Sequence, residues 1–165
     1  ALTGYGLSYS SATNTGLGNT CALGGVTLPA GGYHVVAVGS NGSTGAALEA
    51  DQTCTNINPS GTNGSFTLLQ GESVVDLVGW GTAKRFEGAA ATYTGGNTTP
   101  GSIARLPNGA DTDANDTDFT FVETPTPGAS NTGTTEPEPE PTAVTIAAIQ
   151  GTGASTPAPG VRTVR

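Results

Sequence analysis

The chain has 165 residues, 11% charged and 35% hydrophobic, with 26 glycines, 11 prolines and a formal charge of −8. Runs of Ala, Leu, Glu, Lys and Arg are missing, which excludes long helices, whereas short strands between Gly- and Asn-rich turns fit. Lys84, Arg85 and Arg105 are the only basic residues before a Glu/Pro run at 136–141, so no basic stripe is available to a phosphate backbone.

The elements, in chain order, begin with a strand. Tyr5-Gly-Leu-Ser-Tyr-Ser10 alternates large and small residues and places Tyr5, Leu7 and Tyr9 on one face. Residues 11–19 read as a loop, Val26-Thr-Leu28 as a short extended piece, and Pro29-Ala-Gly-Gly32 as a turn. Tyr33-His-Val-Val-Ala-Val38 is the clearest strand, and 39–64 reads as a long polar connection. Ser65-Phe-Thr-Leu-Leu69 and Val74-Val-Asp-Leu-Val78 flank Gln70-Gly-Glu-Ser73 and predict a β-hairpin. Residues 79–100 are irregular. Ser102-Ile-Ala-Arg-Leu106 and Phe119-Thr-Phe-Val122 are two further strands, and Pro125-Thr-Pro-Gly128 closes the unit.

Six or so short strands separated by turn signals predict an all-β fold, a β-sandwich. From 131 to 142 the run Glu-Pro-Glu-Pro-Glu-Pro forms neither helix nor central strand and reads as a semi-rigid spacer. Ala143-Val-Thr-Ile-Ala-Ala-Ile149 resumes an apolar strand pattern, so 143–165 is expected to start a second β domain. The chain contains no Met. No signal peptide is visible, and no apolar run reaches the ~18–20 residues of a membrane span. The whole reads as a fragment of a larger polypeptide.

Cys21 and Cys54 lie among polar, turn-forming residues. They are either a disulfide, as an extracellular composition favours, or two buried thiols. A bridge closing this loop would constrain the unfolded chain by roughly 3–4 kcal/mol in the entropy model.

The densest acidic stretch runs from Arg105 to Phe119. Asp111, Asp113 and Asn115 occupy positions 1, 3 and 5 of a Ca²⁺ loop, and Asp118 adds an oxygen. Position 6 is Asp116 instead of Gly, and position 12 is Val122 instead of the bidentate Glu. The competing reading has these side chains capping turns, with Arg105 paired to one of the acids. His34, the only histidine, lies in a strand on the face opposite Tyr33 and Val35 and reads as a surface or edge residue. No nucleophile-elbow motif accompanies it. Asp76, set among valines and Leu77, must face solvent or be hydrogen-bonded. Trp80, Phe86, Phe119 and Phe121 are expected in the core, because few aromatics are available to fill it. Four sequons, at Asn41, Asn63, Asn97 and Asn115, are expected by chance in a chain this rich in Asn, Ser and Thr.

Taken in order, Leu2-Thr-Gly-Tyr5, Tyr9-Ser-Ser-Ala-Thr13, Leu28-Pro-Ala-Gly-Gly-Tyr33, Asn58-Pro-Ser-Gly61, Val74-Val-Asp-Leu-Val-Gly-Trp-Gly81, Phe86-Glu-Gly88, Ser102-Ile-Ala-Arg105, Asp111-Thr-Asp-Ala-Asn115, Asp118-Phe119 and Pro125-Thr-Pro-Gly128 form a pattern. It resembles that of bacterial lamin-tail domains over about residues 1–130. The resemblance implies an immunoglobulin-like β-sandwich with Asp76, Trp80, Phe86, Arg105 and Phe119 as structural signature residues. Family members begin earlier, so the sandwich here is expected to lack one or two strands and to expose an edge. Thr145-Ile-Ala-Ala-Ile-Gln-Gly-Thr-Gly153 resembles the segment after lamin-tail domains in large secreted bacterial nucleases of the endonuclease/exonuclease/phosphatase class. The expected role is therefore a non-catalytic accessory module of a secreted protein. Its partners would be neighbouring domains of the same polypeptide, or protein or cell-surface ligands, with no cofactor beyond Ca²⁺. The alternatives are a substrate-capturing module and a cell-wall adhesion module without an enzyme.

Overall fold

The computed structural model describes residues 1–39, 47–96 and 98–131, which belong to one compact unit, Ala1–Gly133. The Glu/Pro spacer and the segment 143–165 lie outside the described residues. Eight strands and one helical turn follow in order: β1 Tyr5–Ser10, β2 Asn19–Ala22, β3 Val36–Val38, β4 Gln52–Cys54, β5 Gly64–Gln70, β6 Ser73–Trp80, β7 Ser102–Arg105, α1 Asn115–Asp118 and β8 Phe119–Val122. The described residues are all-β apart from this one turn, as the composition predicts.

Alternating residues and a tight Gly71 turn make β5 and β6 a hairpin, with a β-bulge between Leu68 and Leu69. With β1 and β2 they form one antiparallel sheet in the order β2-β1-β5-β6. The expected strand at 33–38 shortens to Val36–Val38 and pairs in parallel with β4, which lies inside the stretch read as a polar connection. Strand β2 occupies the end of the expected loop 11–19 and the residues after it. Val26-Thr-Leu28 forms no strand, although the Val26 carbonyl accepts the Leu2 N–H. Strands β7 and β8 form an antiparallel ribbon in which Arg105 opposes Phe119.

On one face of the large sheet Tyr9, Phe66 and Trp80 form an aromatic cluster, with ring centroids 5.5–6.3 Å apart. The opposite face is the more deeply buried one, although it is made of Ser8, Ser10, Ser65 and Thr67. Small side chains let loops settle directly on the strands there. Ser10 Oγ donates to the Gly16 carbonyl at 2.7 Å, and Arg85 spans the face from Thr15 O to Thr67 Oγ1. Gly79 is required at this point, because any Cβ would run into the Arg85 carbonyl. Burial here follows hydrogen bonding and close approach rather than apolar area, so an apolar-versus-polar pattern does not reveal it.

Both sheet edges are handled by side-chain amides. On β2, Asn56 Nδ2 donates to Thr20 O (2.9 Å) and Gln52 Nε2 to Ala22 O (2.8 Å). On β6, Asn115 serves Leu77 and Gly79, and Ala91 bridges Trp80. Val74 and Val75, in the turn-proximal part of β6, are exposed. The Cys21–Cys54 disulfide is formed, with Cα atoms 5.9 Å apart, and ties the β2 edge to β4. No helix among the described residues is long and apolar enough to cross a membrane.

Candidate functional site

The acidic stretch and the hairpin meet around Arg105. This residue ends β7, and its register opposite Phe119 lays the guanidinium 4.7 Å from that ring's centroid. Its Nη2 donates to both oxygens of Asp76, at 2.9 and 3.0 Å, and its Nη1 to Asp111 Oδ1 at 2.7 Å. Asp76 reaches it because the register that runs unbroken from Gly64–Trp80 sets Asp76 opposite Leu68, just before the bulge and on the face that carries the aromatics. Burial works against the charge on Arg105, but the hydrogen bond with Asp111 and the charge of Asp76 outweigh it and hold the guanidinium pKa above its ordinary value.

Glu87 joins the same cluster. Oxygens of Asp76, Glu87 and Asp111 lie within 4.8 Å of one another. Burial, followed by the nearby charge of Asp76, pushes the Glu87 carboxyl above its ordinary value, and a hydrogen bond from Asn115 partly offsets this. Three carboxylates around one guanidinium leave a local excess of negative charge. Among the described residues this is the group whose oxygens are spaced to hold a cation, and Arg105 already supplies a positive charge to two of them.

The four residues matching a Ca²⁺ loop do not converge. Asn115 is fully buried and faces the sheet edge: its Oδ1 accepts the Gly79 and Glu87 N–H groups (2.8 and 3.1 Å), and its Nδ2 donates to Leu77 O and Glu87 Oε2 (2.9 and 3.2 Å). Asp118, also buried, accepts Thr112 N–H and Oγ1–H at 2.9 and 2.7 Å. Those two bonds hold its carboxyl below the ordinary value. Asp111 turns to Arg105, and its other contact is the Asp113 N–H at 3.3 Å. Asp113 itself is exposed, with a positive φ of 56°. The alternate spacing of acids thus builds a hydrogen-bonded connection whose one helical turn aims Asn115 inward and closes an Asp118–Thr112 cap.

The remaining expected residues divide. Trp80 is buried, as anticipated, and Phe121 meets Tyr93 edge-on at 5.5 Å. Phe86 is 41% exposed, against the expectation of core packing: the Arg85 main chain and the Phe86 Cβ lie against Gly79, and the ring is left outside. Of the two readings of His34, surface or sheet-edge residue, the surface one fails; it lies just ahead of the two-stranded β3–β4 sheet. Its side chain is 6% exposed, with Nδ1 3.7 Å from Asp51 Oδ2 and Nε2 3.3 Å from Gln52 Oε1. The shortened β3 leaves His34 ahead of the strand, free to turn toward the β4 residues. Reasoning from sequence did not single out Glu87, Gln52 or Asn56. An isolated Glu and two loop amides carry no spacing signal.

No protein-family model, no curated protein and no solved structure matches this chain.

Proposed function

We propose that residues 1–130 are a non-catalytic, lamin-tail-like accessory module with an immunoglobulin-like β-sandwich architecture, from a secreted bacterial multidomain protein. The attached enzyme would be an extracellular nuclease or phosphatase, and the module would position neighbouring domains or contact a protein or cell surface. One observation carries this reading. Three of the five signature residues of the resemblance, far apart in sequence, form a single structural joint: Arg105 binds Asp76 and stacks on Phe119. The polar groups nearest to a chemical site are spent on fold geometry, with Asn115 on the β6 edge and Asp118 on Thr112. The disulfide supports an extracellular setting.

The reading is tested with the full chain. A low-salt gel shift with single- and double-stranded DNA should show no complex, because Asp and Glu outnumber Lys and Arg by 13 to 5. A clear shift would instead establish the substrate-capturing alternative. Retention on bacterial cell walls that is lost on excision of residues 1–130 supports the surface-contact role. Equal retention of the excised and full chains argues against it.

A further inference from the structure

We propose that Asn108–Gly109 is a self-modifying site at which the asparagine converts to aspartate and isoaspartate through a cyclic imide. The chain contains three Asn-Gly pairs, at 41, 63 and 108. The first lies outside the described residues, and the structure separates the other two. Gly64 is buried in β5 opposite Trp80, and an atom added at its Cβ position would stand 2.7 Å from the Tyr9 ring. That close packing and the pairing with Trp80 hold the Gly64 main chain in the strand, so its nitrogen is not free to swing onto the Asn63 side chain.

Asn108 and Gly109 are instead exposed, in a turn closed by Ala110 N–H to Pro107 O at 2.9 Å. Gly109 has a φ of +71°, with nothing within 4 Å of a Cβ position. Its N–H donates to no backbone carbonyl among the described residues. That nitrogen is the nucleophile once it loses its proton.

The asparagine side chain is also engaged in a way that suits the reaction. Oδ1 accepts the Asn131 N–H at 2.8 Å, a donor placed where negative charge builds as the carbonyl is attacked. Nδ2 donates to the Tyr33 hydroxyl at 3.1 Å, so the leaving nitrogen sits beside a proton-carrying oxygen. In the reaction Gly109 N bonds to Asn108 Cγ and the Cγ–Nδ2 bond breaks. Ammonia departs with the proton lost from the Gly109 amide. Water then opens the ring at either carbonyl, so the net change replaces the amide nitrogen by a carboxylate oxygen without oxidation or reduction. The product places a new negative charge three residues before Asp111. In the isoaspartate form it also lengthens the main chain by a methylene, which pulls the side chain off Tyr33 and Asn131.

The test holds the folded full chain in mildly alkaline heavy-oxygen water and maps its peptides by mass spectrometry. Label and isoaspartate are expected at residue 108 and not at 63, and Asn108→Gln, which cannot close a five-membered ring, should lose the label there. Equal labelling of Asn63 and Asn108 in the folded chain overturns the proposal. So does an unlabelled Asn108 in the folded chain when the urea-unfolded chain labels it, because the turn would then block the chemistry.

Discussion

Replacing Asn115 by Ala tests the claim that the acidic stretch is architecture. The side chain is fully buried and makes four hydrogen bonds, three of them to main-chain groups of Leu77, Gly79 and Glu87. Truncation leaves Gly79 N–H and Leu77 C=O on the β6 edge without partners. Each buried group so orphaned costs about 1–3 kcal/mol. The Glu87 N–H is partly buried and adds less. The expected loss is about 3–5 kcal/mol, a large share of the 5–15 kcal/mol typical of a domain. At this chain length it corresponds to a fall in Tm of roughly 6–20 °C.

Thermal unfolding followed by Trp80 fluorescence, with and without Ca²⁺ and chelator, is the assay. Asp116→Ala, on the exposed side of the same turn, is the control and should stay within about 0.5 kcal/mol of the parent. The Asn115→Ala loss should be the same in chelator as in Ca²⁺. A loss seen only when Ca²⁺ is present would restore the ion-loop reading. A loss below about 1 kcal/mol would refute the edge-capping argument itself. Concentration-dependent association of the variant should accompany the loss, because the freed part of β6 presents an unpaired edge.

Arg105→Gln removes the charge shared by Asp76 and Asp111 and leaves three carboxylates together; the pair is only partly buried, so about 2–3 kcal/mol is expected, between the surface and buried limits. Millimolar Ca²⁺ should restore part of that Tm in Arg105→Gln and not in the parent, and equal responses would refute the account of Arg105 as the resident cation. Glu87 has its folded pKa raised above the ordinary 4.5, so its ionised form costs stability, and the fold loses stability as pH rises through that window. Glu87→Gln keeps an acceptor for Asn115 and should melt higher than the parent at neutral pH, the gap closing below about pH 4; a lower Tm at neutral pH would count against this. Reducing the Cys21–Cys54 bridge should raise amide exchange in β3 and β4 before β1, β5 and β6, because β4 is held to the β2 edge by the disulfide and the Gln52 and Asn56 amides; uniform loss of protection would show that the bridge supports the whole sheet.

How much of this was legible depends on which force makes each element. The β5–β6 hairpin could be read because alternation and a Gly turn act locally. The β7 and β8 strands could be read for the same reason. Strands β2 and β4 could not: Asn-Thr-Cys-Ala and Gln-Thr-Cys carry no apolar alternation. They are strands because β1 and β3 offer them main-chain partners, and a disulfide and two carboxamides then tie the β2 and β4 regions to each other across more than thirty residues. His34 and Phe86 were misplaced for a related reason. Their burial is set by where a neighbouring backbone ends up, and a local window holds no information about that.

The acidic stretch shows where reading from residue type runs out. Alternating Asp and Asn offer the same oxygen atoms to a cation and to main-chain N–H groups, so composition and spacing alone cannot choose between them. The choice is made by what the opposite element presents. Strand β6 presents Leu77 C=O and Gly79 N–H, an acceptor and a donor two residues apart on a free edge. A carboxamide matches both, whereas a carboxylate or an ion matches only one. That is a physical reason for Asn rather than Asp at 115. It makes Asn115→Asp the sharper companion variant: it keeps the acceptor for Gly79, loses the donation to Leu77 and sets a charge beside Glu87. The variant should therefore be less stable than the parent at neutral pH and recover as the new carboxyl is protonated.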